Sequence, residues 1–153
     1  MKQTNDALEL LIDLAKRRSD ERVTRLGEAL QRESSNDKRL ALLVEYRGDY
    51  WRAFEEAQRT GLSAAALVNF HHFLQKLDAA VEQQQAIVDQ SRTLSANARN
   101  AFSEAEKKRQ SLVTLRDRRS AVARTAEARR DQRGQDEVAQ RLAQHGSGID
   151  SKR

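Results

Sequence analysis

The sequence predicts an all-α protein: two long antiparallel helices forming a coiled-coil hairpin, the second helix longer than the first. Three observations carry that reading. Apolar residues recur at alternating three- and four-residue steps through residues 4–59 and again through residues 63–144, the beat of a helix with one buried stripe. The 153-residue chain contains no proline, so nothing in either run forces a helix to stop. Charged residues make up 33% and aromatic residues 5%, too polar for a thick globular core and suited to a single two-helix seam.

In the first helix, Thr4 or Asn5 can serve as the cap, and Asp6 and Glu9 suit the positive end of the dipole. Leu8, Leu11, Ile12 and Ala15 set an apolar stripe. From Val23 a heptad runs through Leu26, Leu30, Glu33, Asp37, Leu40, Val44, Arg47, Trp51 and Phe54. The two stripes are out of phase by one residue, which predicts a stutter near Ser19. Residues 34–37 (Ser34, Ser35, Asn36, Asp37) are the weakest helical stretch, and a break there would give a three-helix bundle. Leu26 and Leu40 lie two whole heptads apart, which favours one continuous helix. Gly27 and Gly48 each cost such a helix about 1 kcal/mol relative to alanine.

The turn is expected at residues 60–63. Gly61 can take the left-handed conformation that closes a helix, because it has no Cβ to clash. Ser63 can accept a hydrogen bond from the first turn of the next helix. A connection this short sends the second helix back along the first.

The second helix repeats through Phe70, Leu77, Gln84, Ser91, Ala98, Ala105, Leu112, Arg119 and Ala126, with Phe73, Ala80, Ile87, Leu94, Ala101, Lys108, Leu115, Val122 and Arg129 as partner positions. Large residues cluster near the turn and small or polar ones follow, so the seam is expected to be tightest at the hairpin tip. At 1.5 Å per residue the first helix is about 80 Å long and the second about 120 Å. The first therefore runs out opposite residue 118 or so, leaving an overhang that carries Arg119, Arg124, Arg129, Arg130, Arg133 and Arg141. Residues 4–144 read as one hairpin domain and residues 145–153 as a disordered tail.

Charge follows the same division. Residues 1–103 carry 15 basic and 15 acidic side chains, and residues 104–153 carry 13 and 8, so the whole net charge of +5 lies in the last third. A single-sign field of that kind suits an acidic protein surface, nucleic acid or anionic lipid.

No catalytic constellation is legible. Cysteine is absent, and His71 and His72 are adjacent, so on a helix they project in different directions. No glycine-rich phosphate loop or nucleophile motif occurs. The chain reads as a binding protein rather than an enzyme, with no metal and no cofactor. No apolar run is long enough to span a bilayer, and the cytoplasm is the expected compartment.

Two features exceed what a plain coiled coil needs. Six of the seven aromatic residues, all but Phe102, lie between Tyr46 and Phe73. Trp51, Phe54 and Phe70 fall on the heptads above. Tyr46 and Tyr50 fall off them and form a separate stripe with Leu43, which either covers the edge of the seam or is an exposed docking patch. The second feature is the basic overhang, which is either a solvated helix face or a binding surface. The alternative partner is nucleic acid. Against it, no aromatic residue interleaves with the arginines, and no leucine zipper follows the basic stretch.

Three segments carry a family likeness: LVEYRGDY at residues 43–50, NFHHFLQKLDAAVEQ at residues 69–83 after the turn, and EARRDQRGQDE at residues 127–137. Their order and spacing, together with the chain length and hairpin position, resemble the flagellar export protein FliJ family over nearly the whole chain. The stalk proteins of virulence-type secretion systems (YscO-like) share the architecture and are the alternative.

The resemblance implies an antiparallel coiled coil like the central stalk of rotary ATPases. Such a protein inserts into the hexameric export ATPase (FliI) and stimulates it, docks on the export gate subunit (FlhA), and escorts export chaperones. It implies a monomer without nucleic acid as a partner, peripheral to the inner membrane and not inserted in it. Carried over by motif, the gate-binding patch falls on Leu43, Tyr46, Tyr50, Phe73, Leu77 and Ala80. Where family members can carry histidine at the patch edge, this chain has Gln84. The same resemblance, with the charge distribution, assigns Arg119, Arg124, Arg130 and Arg133 to contact with the ATPase ring.

Overall fold

The computed structural model describes residues 2–146. Two helices account for nearly all of them: α1, Lys2–Thr60, and α2, Ala64–Gly146. α1 is helical without interruption through Ser19 and through residues 34–37, so no three-helix bundle forms. α2 runs through His145 and Gly146, two residues that the sequence assigns to the tail; the rest of that tail lies outside the described residues. The chain divides into two units, Ala15–Lys107 and Met1–Leu14 with Lys108–Arg153.

The larger unit contains the turn. Gly61 has φ +99°, a backbone conformation that an L side chain rarely adopts. The Ser63 hydroxyl oxygen accepts a hydrogen bond from the Ala66 amide at 3.2 Å, and the Ser63 carbonyl accepts one from the Leu67 amide at 3.0 Å. Ser63 therefore caps α2 with both of its oxygens. At the other side of the turn, the Thr60 hydroxyl donates back to the carbonyls of Glu56 and Ala57.

Pairing across this unit is antiparallel, since later residues of α1 meet earlier residues of α2. Glu33 meets Ser95, Arg47 meets Asp78 at 3.5 Å, and Phe54 meets Phe70 with ring centroids 5.3 Å apart. The result is an all-α antiparallel coiled-coil hairpin.

The seam differs from the sequence expectation by one column on each helix. On α1 the inward column of Leu26, Glu33, Leu40, Arg47 and Phe54 is as expected, but its companions are Ala29, Asn36, Leu43, Tyr50 and Ala57. Val23, Leu30, Val44 and Trp51, expected inside, are exposed. On α2 the column of Phe70, Leu77, Gln84 and Ser91 is inward with Leu74, Val81, Val88 and Ser95 beside it; of the expected companions Phe73, Ala80 and Ala101 are half-buried, while Ile87 and Leu94 are exposed. Apolar residues stand on both sides of each inward column, so periodicity alone does not choose between them. The short turn does, because it sets Phe54 against Phe70 and Tyr50 against both Phe70 and Phe73.

With that register the expected stutter disappears. Ser19 is buried and sits seven residues after buried Ile12 and seven before half-buried Leu26, in one unbroken phase.

Interior chemistry changes along the seam. Phe54, Leu74, Leu77 and Val88 are buried toward the tip, and burying each is worth about 1.5–3 kcal/mol. Beyond Val88 the buried residues of α2 are Ser91 and Ser95, and hydrogen bonds take over. The Gln84 amide donates to the Asn36 carbonyl at 3.1 Å, Ser95 donates to Glu33, Arg92 pairs with Asp37 at 3.1 Å, and Ser19 donates to Glu106 at 2.7 Å. Among the described residues no buried side-chain nitrogen or oxygen lacks a partner. A satisfied polar seam of this kind specifies register more than it adds stability.

In the smaller unit, Leu8 and Ile12 are buried, and the α2 residues Leu112, Val113 and Arg116 are half-buried. Arg116 reaches Glu9 at 3.8 Å. From Asp117 to Gly146 every residue is exposed.

Candidate docking surfaces

Two surfaces gather the residues singled out by the sequence. The first lies in the larger unit. Phe73 is its centre, with the Tyr46 ring edge-on at 6.3 Å and the Tyr50 ring tilted at 4.5 Å. Tyr50 also meets Phe70 at 5.2 Å. Leu43, Tyr50, Phe73 and Ala80 are half-buried and Tyr46 is exposed. Leu77 is only 6% exposed, so it belongs to the interior beneath the patch and supports it from below.

Leu43, Tyr46 and Tyr50 do not form a stripe separate from the seam, as the sequence suggested. Leu43 and Tyr50 are seam residues whose outer edges reach the surface, and Tyr46, one turn from Tyr50, covers their flank. The tyrosine stripe therefore both closes the seam and presents aromatic surface. Edge-on and tilted ring pairs hold that surface in a fixed shape.

Trp51 is the residue that sequence reasoning misplaced most. Its ring is 5.4 Å from that of Phe54, yet it is 48% exposed, on the flank opposite Tyr46. The His71 ring lies 5.6 Å from that of Phe54. Among the described residues, no three His, Cys, Asp or Glu side chains converge in a way that could hold a metal ion.

The second surface lies on the exposed stretch of α2. Arg119 and Arg133 stand one and three whole heptads beyond half-buried Leu112, and Arg130 stands two heptads beyond half-buried Arg116. At 100° per residue, Arg130 and Arg133 lie within about 40° of Arg119 around the helix, whereas Arg124 is turned away by about 140°. Three of the four arginines thus share one face, and it is the face that the seam would occupy. Arg124 does not join them. No helix among the described residues is long and apolar enough to cross a membrane.

Two long helices paired antiparallel define a coiled-coil protein, and the aromatic patch and the arginine face are its candidate docking surfaces. The chain belongs to the flagellar FliJ protein family, whose sequence model matches residues 4–148. It is 32% identical over 137 residues to the flagellar FliJ protein of Salmonella typhi, covering 90% of this chain and 93% of that protein. Identity to the flagellar FliJ protein of Escherichia coli K12 is 30% over 137 residues, with the same coverage. Among solved structures, a putative YscO homolog from Chlamydia trachomatis aligns over 96% of this chain and 95% of its own, at 16% identity and a TM-score of 0.47. The general role is that of the family: a non-enzymatic coiled-coil stalk component of the flagellar type III export apparatus.

Proposed function

We propose that this chain binds and stimulates the hexameric export ATPase as its central stalk, docks it on the export gate through the tyrosine patch, and escorts export chaperones at the cytoplasmic face of the inner membrane. The observation that carries the ATPase part is the stretch from Asp117 to Gly146, exposed at every residue and bearing Arg119, Arg130 and Arg133 on the continuing seam phase. A single exposed helix of this length is marginal by itself, so a partner must supply its lateral contacts. A seam face made of arginine and alanine suits a partner lined with carboxylates and small residues. It suits a second apolar helix poorly, because burying an unpaired guanidinium is costly. A polar contact also lets a stalk be held in a ring without permanent hydrophobic adhesion.

The test is ATP hydrolysis by the cognate export ATPase, titrated with the wild-type chain and with a variant carrying R119E, R124E, R130E and R133E. Stimulation saturating near one chain per ATPase hexamer is expected for the wild type. The variant should stimulate little while its circular dichroism stays helical. Undiminished stimulation by the variant would refute the assignment of this face to the ring. Reverting Arg124 alone should restore nothing, since it lies off the shared face.

A further inference from the structure

A second exposed apolar edge lies in the larger unit and continues the flank of the aromatic patch, Arg39 standing one heptad before Tyr46 on α1 and Ile87 one heptad beyond Ala80 on α2. Ile87 and Leu94 are 39% and 53% exposed and stand one heptad apart on α2. Beside them is a groove of about 190 Å³, walled by Arg32 and Asn36 from α1 and by Ile87, Gln90, Ser91 and Leu94 from α2. Arg32 is one member of a ladder: Arg18, Arg25, Arg32 and Arg39 follow one another at seven-residue steps, and all four are exposed. Among the described residues, none of these four forms an ion pair or a side-chain hydrogen bond. Glu21 stands one turn from Arg18 and Arg25, and Glu28 one turn from Arg25 and Arg32, but Arg39 has Ser35 and Leu42 in the equivalent positions. On the α2 side the groove's polar side chains are Gln90 and Ser91, neither of them charged.

The opposite edge makes the contrast. Val23, Leu30, Val44 and Trp51 are exposed there too, but Asp37 already pairs with Arg92 at 3.1 Å. That edge satisfies its own charges. The Arg32–Arg39 edge does not.

We propose that the groove between the Arg32–Arg39 ladder and the Ile87–Leu94 stripe is a docking site for an acidic amphipathic helix of a partner protein. The occupant is fixed by spacing and charge. Seven helical residues advance about 10.5 Å, so Ile87 and Leu94 match apolar residues one heptad apart on a third helix. The arginines, at the same pitch, match carboxylates on that helix's flank. A nucleic-acid backbone fits less well, because it would leave the Ile87–Leu94 stripe facing charged phosphates and there is no aromatic residue in the groove to stack on a base.

The test uses the full chain and a fluorescent synthetic helix of about three heptads, with leucine on its apolar face and glutamate on both flanks. A matched peptide with lysine in place of glutamate is the control. By anisotropy at physiological salt, the wild-type chain should bind the glutamate peptide at least about tenfold tighter than the lysine peptide. R32E with R39E should reverse that preference, R32K with R39K should keep it, and Ile87→Ser with Leu94→Ser should weaken the glutamate peptide about tenfold. Circular dichroism should be unchanged in all three, since every substituted side chain is exposed. Equal binding of the two peptides, or binding that survives R32E with R39E, overturns the proposal. So does displacement of the glutamate peptide by duplex DNA or phosphatidylserine vesicles, or a dimer in light scattering that dissociates on substitution of Ile87 and Leu94. Stimulation of the export ATPase should be unaffected by R32E with R39E, so this site and the ring assignment stand or fall separately.

Discussion

The ring of Tyr50 lies 4.5 Å from the ring of Phe73, while its chain neighbour Trp51 stands 48% exposed. A rotation of one residue about α1 separates two registers, and the energetics of truncation distinguish them. Phe54, 4% exposed, should cost about 3–5 kcal/mol when replaced by alanine. Trp51→Ala, removing a larger side chain, should cost less than about 1 kcal/mol, because most of what it loses is surface contact. Urea unfolding followed by circular dichroism measures both. Comparable losses would mean that Trp51 is inside and the register is the other one.

Glycines divide in the same way. At Gly61, φ is +99° and a Cβ is strained whatever space surrounds it, so Gly61→Ala should destabilise the hairpin by about 1–2 kcal/mol. At Gly48 the backbone is helical and a Cβ would meet nothing within 4 Å. Gly48→Ala should therefore stabilise α1 by about 1 kcal/mol. The two thermal midpoints should move in opposite directions. A fall in both would show that Gly48 serves a close approach absent from this conformation.

The architecture was legible because its signals are redundant. The absence of proline, the long periodic runs and the Gly61–Ser63 turn all point to two helices, and the competing signal at residues 34–37 is outweighed by the heptad phase that Leu26 and Leu40 keep across it. The seam was half legible, for a physical reason. Leu26, Leu40 and Phe54 on α1, and Phe70 and Leu77 on α2, mark the central column whichever neighbours join it. On either side stand apolar residues of similar size, Leu30 against Ala29 or Ile87 against Val88, and hydrophobicity favours the larger or leaves a tie. The decision comes from pairing across the turn, which a single helix's pattern does not contain. The Arg18–Arg39 ladder was missed because its members are scattered singly in sequence. Only at a seven-residue step, with the seam phase known, do they fall on one edge. The resemblance and the charge distribution group Arg124 with the other three arginines, and helical geometry separates it.

Amide exchange should divide α2 at Arg116. Residues 74–95 contain the buried Leu74, Leu77, Val88, Ser91 and Ser95, and their amides should exchange only through large-scale opening. Residues 117–146, exposed throughout, should exchange orders of magnitude faster, since a lone helix opens by fraying. Adding the export ATPase should slow exchange in the second stretch specifically. Equal protection of both stretches in the free chain would indicate that residues 117–146 have acquired a partner, such as a second copy, and light scattering would then show the dimer.

Within the tyrosine patch, Tyr46 and Leu77 have different jobs, and substitution should separate them. Tyr46 is 52% exposed, and its ring meets that of Phe73 edge-on at 6.3 Å. Removing its ring takes away surface and little packing, so Tyr46→Ala should cost stability less than about 1 kcal/mol. Leu77, at 6% exposure, fills the interior under the patch, and Leu77→Ala should cost about 2–5 kcal/mol. If the patch binds the export gate, Tyr46→Ala should weaken that binding at least about tenfold without shifting the unfolding midpoint, as expected of an aromatic anchor at an interface. Leu77→Met, which nearly conserves volume, should leave both binding and stability close to wild type, whereas Leu77→Ala lowers both together. Titration of the gate's cytoplasmic domain against the three variants, read by calorimetry, gives the comparison. Normal gate binding by Tyr46→Ala would remove the exposed ring from the interface and leave this patch as the closure of the seam alone.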